Sequence, residues 1–272
     1  MKLCLFLIAT LFISMSTSAK TTFVQTKIGK IAIQKTERIT DKPPIIFLHG
    51  VYFDHHLWDE QINHIDDRMV ITIDMPFHGK SREITKADWS LNDCADMLIE
   101  ILDSLHVPKI IAVGHSWGSM TILRVANKQP ERFSSIVLCN MPFLTASNKN
   151  KLIIRLQHSM LLFRNFYTKQ AAKALFGKTS LKQNPKLIEK LKRPMSILSN
   201  NQIKQTDKAV IINAEDATRL INNLNVRTIA IKGKEDYVPT PPNIKTIEIE
   251  GGHISPLEKP TIVLSVIKDF IK

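Results

Sequence analysis

Residues 110–120 have the sequence IIAVGHSWGSM, which joins a short apolar run to a Gly-x-Ser-x-Gly motif and then to a helical pattern. The apolar run predicts a buried strand. Between a strand and a helix, this motif is typical of a sharp turn that holds the serine Oγ clear of the sheet. Ser116 is therefore a candidate nucleophile. The amide of Trp117, at the start of the predicted helix, is a candidate hydrogen-bond donor to an oxyanion.

Other apolar runs repeat the strand signal along the chain. They predict strands at Ile45–Leu48, Met69–Ile73, Ile136–Cys139, Thr228–Ile231 and Lys245–Ile249. Amphipathic helices are predicted between them over Asp88–Leu105 and at the end of the chain over Thr261–Ile271, and an antiparallel hairpin over Thr22–Gln34. This alternation predicts an α/β fold with a mostly parallel sheet and helices on both faces.

Residues 1–19 have the composition of a secretory signal peptide. Lys2 precedes an apolar segment, Leu3–Ile13, and small residues follow at Ser16–Ala19. This pattern predicts cleavage after Ala19 and an exported, periplasmic or secreted, protein. An uncleaved N-terminal anchor is the alternative. Two cysteines then remain, Cys94 and Cys139, and their apolar surroundings favour two buried thiols over a disulfide.

Residues 142–225 interrupt the alternation of strands and helices. They carry no strand signal, and helical patterns cover Leu152–Phe166, Gln170–Phe176, Pro185–Leu191 and Ala209–Leu220. The predicted organisation is therefore a first core segment at 20–141, a helical insertion at 142–225 and a second core segment at 226–272. The insertion holds 15 Lys and Arg residues against 4 Asp and Glu, so it carries nearly all of the chain's formal net charge of +12.

Two loops near the end of the chain supply partners for the serine. A serine nucleophile needs a base, and the base needs an acid to orient it. His253 lies in a Gly-Gly-His loop after the last predicted strand, and Asp236 follows the strand before it. Both positions belong to the carboxyl edge of the sheet, where open α/β sheets place their sites. Glu235 competes with Asp236 for the role of the acid, whereas Asn140, after an earlier strand, has no charge to offer.

These motifs, in this order, resemble the α/β-hydrolase superfamily. The resemblance is carried by His49-Gly50, the turn at Gly114–Gly118, Asp236 and His253. The segment DMPFHGKS at 74–81 also resembles a loop of that superfamily, with Phe77 in place of the usual glycine. The order Ser, Asp, His is the one that the superfamily uses.

The resemblance implies roles for further residues. It implies an oxyanion hole built from the amides of Val51 and Trp117, with Tyr52 as the alternative to Val51, and a supporting role for His49. The insertion resembles the helical cap that covers the pocket in such enzymes. Dehalogenases and epoxide hydrolases of the superfamily use a carboxylate nucleophile, and Ser116 is not one.

The expected function is an exported serine hydrolase that cleaves a carboxylic ester, or a related acyl bond, through an acyl-enzyme. No cofactor and no metal are needed, and a solvated loop is the favoured interpretation of Asp54-His55-His56. The expected partner is a small-molecule ester or a lipid, and nucleic acid is not expected.

Two alternatives stay open. One is a lipase or lysophospholipase that acts at membranes, with the basic cap on an anionic surface. The composition of Leu152–Phe166 suits a lipid-facing helix. It also suits a helix packed over an apolar pocket, which we favour. The other alternative is a non-catalytic binding protein on the same fold.

Overall fold

The computed structural model describes residues 20–38 and 40–272. The predicted signal peptide over residues 1–19 lies outside the described residues. Within the described part of the chain, no helix combines the length and the apolar composition that a membrane span requires.

An eight-stranded sheet forms the centre of the fold. In chain order its strands are β1 Lys20–Gln25, β2 Lys30–Lys35, β3 Ile45–Leu48, β4 Val70–Ile73, β5 Ile110–His115, β6 Phe133–Cys139, β7 Thr228–Gly233 and β8 Thr246–Ile249. Their spatial order is β1-β2-β4-β3-β5-β6-β7-β8. The hairpin β1–β2 is antiparallel and pairs antiparallel with β4, and all the other pairs are parallel. The predicted α/β-hydrolase fold is confirmed.

The strand order reverses direction between β3 and β5. The chain moves from β3 outward to β4, returns to β5 and then runs outward the other way through β6, β7 and β8. With right-handed crossovers, this reversal places helices on both faces of the sheet. It also opens a crevice at the carboxyl ends of β3 and β5, where ligands bind in open α/β sheets.

Eleven α-helices are found in the described residues. They are α1 Asp59–Ile62, α2 Leu91–Ser104, α3 Trp117–Lys128, α4 Asn148–Gln157, α5 Arg164–Leu175, α6 Lys178–Gln183, α7 Leu187–Ser196, α8 Asn200–Asp207, α9 Thr218–Asn222, α10 Ser255–Glu258 and α11 Pro260–Phe270. The helix predicted from Asp88 begins at Leu91 because Ser90 and Asp93 form a capping box, in which each side chain binds the other residue's amide.

The segment between β6 and β7 consists of helices joined by turns and loops, but its elements differ from the predicted ones. The predicted helix Leu152–Phe166 is divided, because α4 ends at Gln157 and a 3₁₀ turn, His158–Leu162, precedes α5. Where Ala209–Leu220 was predicted helical, α8 lies earlier and continues into a π-turn at Lys208–Ile212. The capping box of Ser199 and Gln202 starts α8. The sequence of this helix is mostly polar, so it lacks the apolar periodicity from which a helix is predicted.

The segment Leu152–Phe166 covers an apolar pocket, as the favoured interpretation expects. Ile153, Ile154 and Met160 line the cavity. The outer side of α4 faces solvent, and no residue of that helix is fully buried.

The two cysteines are free thiols, as predicted. Cys94 and Cys139 are both buried and do not form a disulfide. Burial raises the pKa of each thiol well above its ordinary value, so neither is a reactive thiolate at neutral pH.

The turn between β5 and α3 depends on two glycines in close contact with neighbouring backbone. A Cβ at Gly118 would lie 2.3 Å from the carbonyl oxygen of Leu48 in β3. A Cβ at Gly114 would lie 2.5 Å from the amide nitrogen of Ser119. Because backbone atoms cannot move aside as a flexible side chain can, these positions exclude larger residues.

We expect Gly118→Ala to lower the free energy of unfolding by about 1–3 kcal/mol, since the added methyl group forces α3 away from β3. Urea unfolding followed by circular dichroism measures the change. The control is Lys128→Ala, which removes an exposed side chain at the end of the same helix and should change stability by less than about 0.5 kcal/mol. Equal stabilities for Gly118→Ala and the wild type would contradict the close contact.

Candidate active site

Ser116 lies at the tip of the turn between β5 and α3 in a strained conformation. Its backbone has φ 51° and ψ −112°, a region that residues other than glycine rarely adopt. The strain is held by the surrounding structure, because the Ser116 amide donates to the carbonyl of Cys139 at 2.9 Å. The hydroxyl is thereby presented at the crevice between β3 and β5.

The structure brings Ser116, His253 and Asp236 together in one hydrogen-bonded chain. The distance from His253 Nε2 to Ser116 Oγ is 2.9 Å, and that from His253 Nδ1 to Asp236 Oδ1 is also 2.9 Å. Since the carboxylate can only accept, Nδ1 carries the proton and Nε2 is free to accept the serine proton. The arrangement matches the one that a nucleophile, a base and an orienting acid require for proton transfer.

Asp236 is held in its ionised form. Burial alone would raise the pKa of its carboxyl, but the charge and hydrogen bond of His253 and the amide of Asn140 hold that pKa below its ordinary value. Asn140 Nδ2 donates to Asp236 Oδ2 at 2.8 Å. The competing carboxylate, Glu235, instead accepts from the amide of Thr179 and does not contact His253.

The loop that carries His253 is held by one carboxylate. Glu258 accepts hydrogen bonds from the amides of Gly252 and Ile254, on either side of His253, at 2.8 and 3.0 Å. The same carboxylate accepts from the amide of Gly177, in the helical segment between β6 and β7. The base is therefore fixed by its own loop and by a contact with the insertion.

Two further bonds fix the backbone of His253 itself. Its amide donates to the carbonyl of Leu175 at 2.7 Å. Its carbonyl accepts from the ring of His115 at 2.8 Å. Burial lowers the pKa of His115 to about 3, so this ring is neutral at physiological pH and acts as a structural donor.

The loop after β3 presents one free amide beside the serine. The amide of Tyr52 donates to His78 Nε2 at 3.0 Å, so it is already used, whereas that of Val51 has no acceptor among the described residues. The Trp117 amide, the first of α3, has no acceptor within its own helix. Between the two alternatives for the second oxyanion donor, this pattern favours Val51.

Two neutral histidines hold that loop in place. His78 Nδ1 lies 2.8 Å from the carbonyl of Pro76, and His49 Nδ1 lies 2.8 Å from that of Gly50. Each ring thus donates through Nδ1 and accepts a backbone amide through Nε2, from Tyr52 and Met75 respectively. Burial lowers the pKa of His78 to about 3 and also lowers that of His49, so both stay neutral.

Phe77 occupies the position where the resemblance implies glycine. Its φ is 69°, so the left-handed conformation that favours glycine is retained. The ring is buried and packs on Trp89, with centroids 6.2 Å apart. Packing of the aromatic ring offsets the backbone strain that the side chain introduces.

A cavity of about 600 Å³ opens beside Ser116. Its size is that of a pocket for a small organic molecule. The insertion supplies most of the wall, which is largely apolar and includes Phe143, Leu144, Ile153, Ile154, Met160 and Leu175. The pocket suits the apolar part of an ester and leaves the reacting carbon next to the serine.

One end of the pocket wall contains a buried polar cluster. The Tyr52 hydroxyl donates to Asp207 Oδ1 at 2.6 Å, and His158 Nε2 lies 2.9 Å from Asp207 Oδ2. The Tyr167 hydroxyl lies 3.2 Å from that of Tyr52. Because Tyr52 lies in the loop after β3, the cluster connects that loop to α8 and α5 of the insertion.

Asp54, His55 and His56 form a group whose potential metal-ligating atoms lie within 4.8 Å of one another. Each side chain already has a partner. Asp54 pairs with Arg193, His55 with Asp74, and His56 with Asp59. These contacts favour a structural role for the group.

Comparisons with known proteins bear on the family. The sequence profile of the alpha/beta hydrolase fold matches residues 43–260. The chain belongs to the α/β-hydrolase family. A 3-oxoadipate enol-lactonase from Acinetobacter baylyi is 24% identical over 81% of this chain and 85% of its own length.

Other matches are shorter or structural. A hydrolase of (E)-2-((N-methylformamido)methylene)succinate from Acinetobacter baylyi is 32% identical over 98 residues, which is 36% of this chain and 37% of that protein. A thermophilic esterase from Thermogutta terrifontis superposes with a TM-score of 0.78 and 22% identity, over 93% of this α/β-hydrolase and 98% of the esterase. At that identity the likeness concerns the fold alone.

Sequence reasoning missed several supporting residues of this α/β-hydrolase. Asn140 had been set aside as an uncharged residue, although its position after β6 is what brings it to Asp236. His115 lies at a variable position of the Gly-x-Ser-x-Gly motif, so the pattern assigns it no role. Glu258 and Asp207 had no signal, because each acts on residues that are distant in sequence.

We expect Tyr52→Phe to lower the free energy of unfolding by about 1–3 kcal/mol, because the buried carboxylate of Asp207 loses its shortest hydrogen bond. Chemical unfolding in urea measures the change. Tyr237→Phe is the control, since the Tyr237 side chain is largely exposed and should change stability by less than about 0.5 kcal/mol. Equal effects of the two substitutions would show that the cluster does not connect loop and insertion.

Proposed function

We propose that the protein is a serine hydrolase that cleaves carboxylic ester bonds through an acyl-enzyme. The observation that carries the proposal is the position of His253, whose two ring nitrogens lie 2.9 Å from Ser116 Oγ and from Asp236 Oδ1. A binding protein would have no use for a polarised serine in a strained turn. The relative described as a 3-oxoadipate enol-lactonase supports acyl chemistry.

The first half of the reaction forms the acyl-enzyme. His253 Nε2 takes the proton of Ser116 as Oγ attacks the carbonyl carbon of the ester, and Asp236 stabilises the imidazolium. The amides of Val51 and Trp117 donate to the oxygen that becomes negative. When the tetrahedral intermediate collapses, the bond to the alcohol breaks and His253 gives its proton to the leaving oxygen.

The second half returns the enzyme to its starting state. His253 takes a proton from water, and the resulting hydroxide attacks the acyl carbon. Collapse of this second intermediate breaks the bond to Ser116 Oγ, which recovers its proton from His253. The products are a carboxylic acid and an alcohol, and no step requires an oxidant or a reductant.

Export after cleavage at Ala19 stays a prediction from the sequence.

A fluorophosphonate probe tests the nucleophile without knowledge of the substrate. We expect the wild type to be labelled and Ser116→Ala not to be labelled, because the phosphorus bonds only to an activated serine. Asp236→Asn should slow labelling on the order of 10³–10⁴-fold, since His253 loses the acceptor that fixes its tautomer.

Glu235→Gln is the matched control for the acid. It neutralises the neighbouring carboxylate in the same way, and the glutamine Oε1 can still accept from the amide of Thr179, so labelling should stay near the wild-type rate. Labelling of Ser116→Ala, or equal slowing by the two acid substitutions, would refute the assignment.

We expect Asn140→Ala to lower ester hydrolysis most strongly at acidic pH. The Asn140 amide binds the charged form of Asp236, so its loss raises the pKa of that carboxyl. As the pH falls, more Asp236 is then protonated and cannot orient His253. The loss should be up to about twofold greater at pH 5 than at pH 8, because a pKa that starts below its ordinary value of 3.8 and rises by about one unit, or about 1.4 kcal/mol, still lies below 5.

A profile of kcat/KM against pH measures this effect. Ser255→Ala is the control, because it removes the hydrogen bond to Asn140 Oδ1 but leaves the amide bound to Asp236. A loss that is independent of pH, or one that Ser255→Ala reproduces, would indicate that Asn140 has only a structural role.

A further inference from the structure

Exposed apolar side chains are concentrated in one short part of the chain. Among the described residues, eleven large apolar side chains are exposed, and seven of them lie between residues 144 and 166. We call these seven the apolar rim: Leu144, Leu152, Ile153, Leu156, Leu162, Phe163 and Phe166. Leu162 and Phe163, at the turn before α5, are the most exposed, at 83% and 70%. Soluble proteins rarely expose so many large apolar side chains in one short segment unless the surface binds something.

The outer side of α4 continues this surface. Leu152 and Leu156 are separated by four residues and therefore lie on the same side of the helix. They are exposed, whereas Asn150, Ile154 and Gln157 line the cavity on the other side. The helix thus separates the pocket from the solvent, and Leu152 and Leu156 make its solvent side apolar.

The surroundings of the apolar rim are cationic. From residue 142 to residue 188 the sequence contains nine Lys and Arg residues and no Asp or Glu. Lys149, Lys151 and Arg155 lie on α4 itself, and none of them pairs with an acidic side chain in the described structure. Unpaired cations next to exposed apolar groups are complementary to a partner that has negative charge at its surface and an apolar interior.

The rim is continuous with the pocket of the proposed active site. Leu144 and Ile153 are exposed and also line the cavity that contains Ser116. An acyl chain that leaves a surface bound at the rim would enter the pocket along these two side chains without crossing water.

We propose that the apolar rim binds the surface of a bilayer that contains anionic lipids, and that the substrates of the proposed hydrolase include esters held in that surface. The apolar side chains enter the headgroup region while the lysines and the arginine contact lipid phosphates. A second copy of the chain is disfavoured as the occupant, since it would bring a second cationic face against the first. The claim about substrates rests on the proposed function, and the claim about binding does not.

Vesicle flotation tests the binding. We expect the protein to float with vesicles of mixed phosphatidylglycerol and phosphatidylcholine, and much less with phosphatidylcholine alone. Added salt should weaken binding because it screens the charges. The double substitution Leu162→Ser/Phe163→Ser, and separately Lys149→Glu/Lys151→Glu, should each weaken binding by about tenfold or more.

Matched controls come from the other parts of the surface. Ile262→Ser removes an exposed apolar side chain of α11, and Lys109→Glu reverses an exposed charge before β5, at the end of the sheet opposite Ser116. Both should bind like the wild type. The measurements are made on the full chain and on residues 20–272, which hold every described element, so that the apolar segment near the N-terminus cannot account for the result.

The outcomes separate this proposal from the proposed function. Absence of binding to anionic vesicles, or equal binding by rim and control variants, overturns the proposal even if the fluorophosphonate labels Ser116. Because binding does not use the serine, Ser116→Ala should float like the wild type. With esters, the Leu162→Ser/Phe163→Ser variant should keep its activity on a soluble short-chain ester and lose about tenfold on a long-chain ester embedded in vesicles. Equal losses on both esters would refute delivery from the surface.

Discussion

The strained turn at Ser116 is the constraint on which the rest of the site depends. The turn exists because Gly114 in β5 lies against the backbone of α3 and Gly118 in α3 lies against that of β3, so closely that neither can carry a side chain. The same approach places the first amide of α3 beside the serine and brings the loop after β3 against it. A Cβ at Gly50 in that loop would lie 3.0 Å from Ser116 Cβ. The proposed nucleophile and both proposed oxyanion donors are therefore products of one packing arrangement.

The electrostatics of the site are organised by burial and by hydrogen bonds that select a protonation state. Asp236 stays charged because His253 and Asn140 stabilise the carboxylate more than burial disfavours it. For His49, His78 and His115 burial outweighs the neighbouring groups that favour the charged form, so their pKa values are lowered and the rings stay neutral. Their neutrality has a structural use, since a protonated ring could not accept the backbone amides that His49 and His78 bind. Histidines thus serve as scaffold around the one histidine proposed to react.

The strands of the sheet, and the proximity of Ser116, Asp236 and His253, could be predicted from the sequence. Short apolar runs fixed the strands to within a few residues, because strands buried on both faces leave no room for polar positions. The insertion was harder. Its helices are short and polar outside, so the apolar period fails at α8, and the break at His158–Leu162 leaves no proline or glycine as a signal. Contacts such as that between Asp207 and Tyr52 join residues far apart in sequence, and no local pattern reveals them.

The hydrogen bonds between insertion and core restrict how a molecule can reach the serine. The insertion is fastened near the base, where the Leu175 carbonyl binds the amide of His253, and near the oxyanion loop, where Asp207 binds Tyr52. Lifting it as a rigid body would break both attachments and disturb the groups that flank Ser116. Neither attachment involves α4 or the turn that follows it, so movement of that margin would admit a molecule to the pocket without disturbing the groups that flank Ser116.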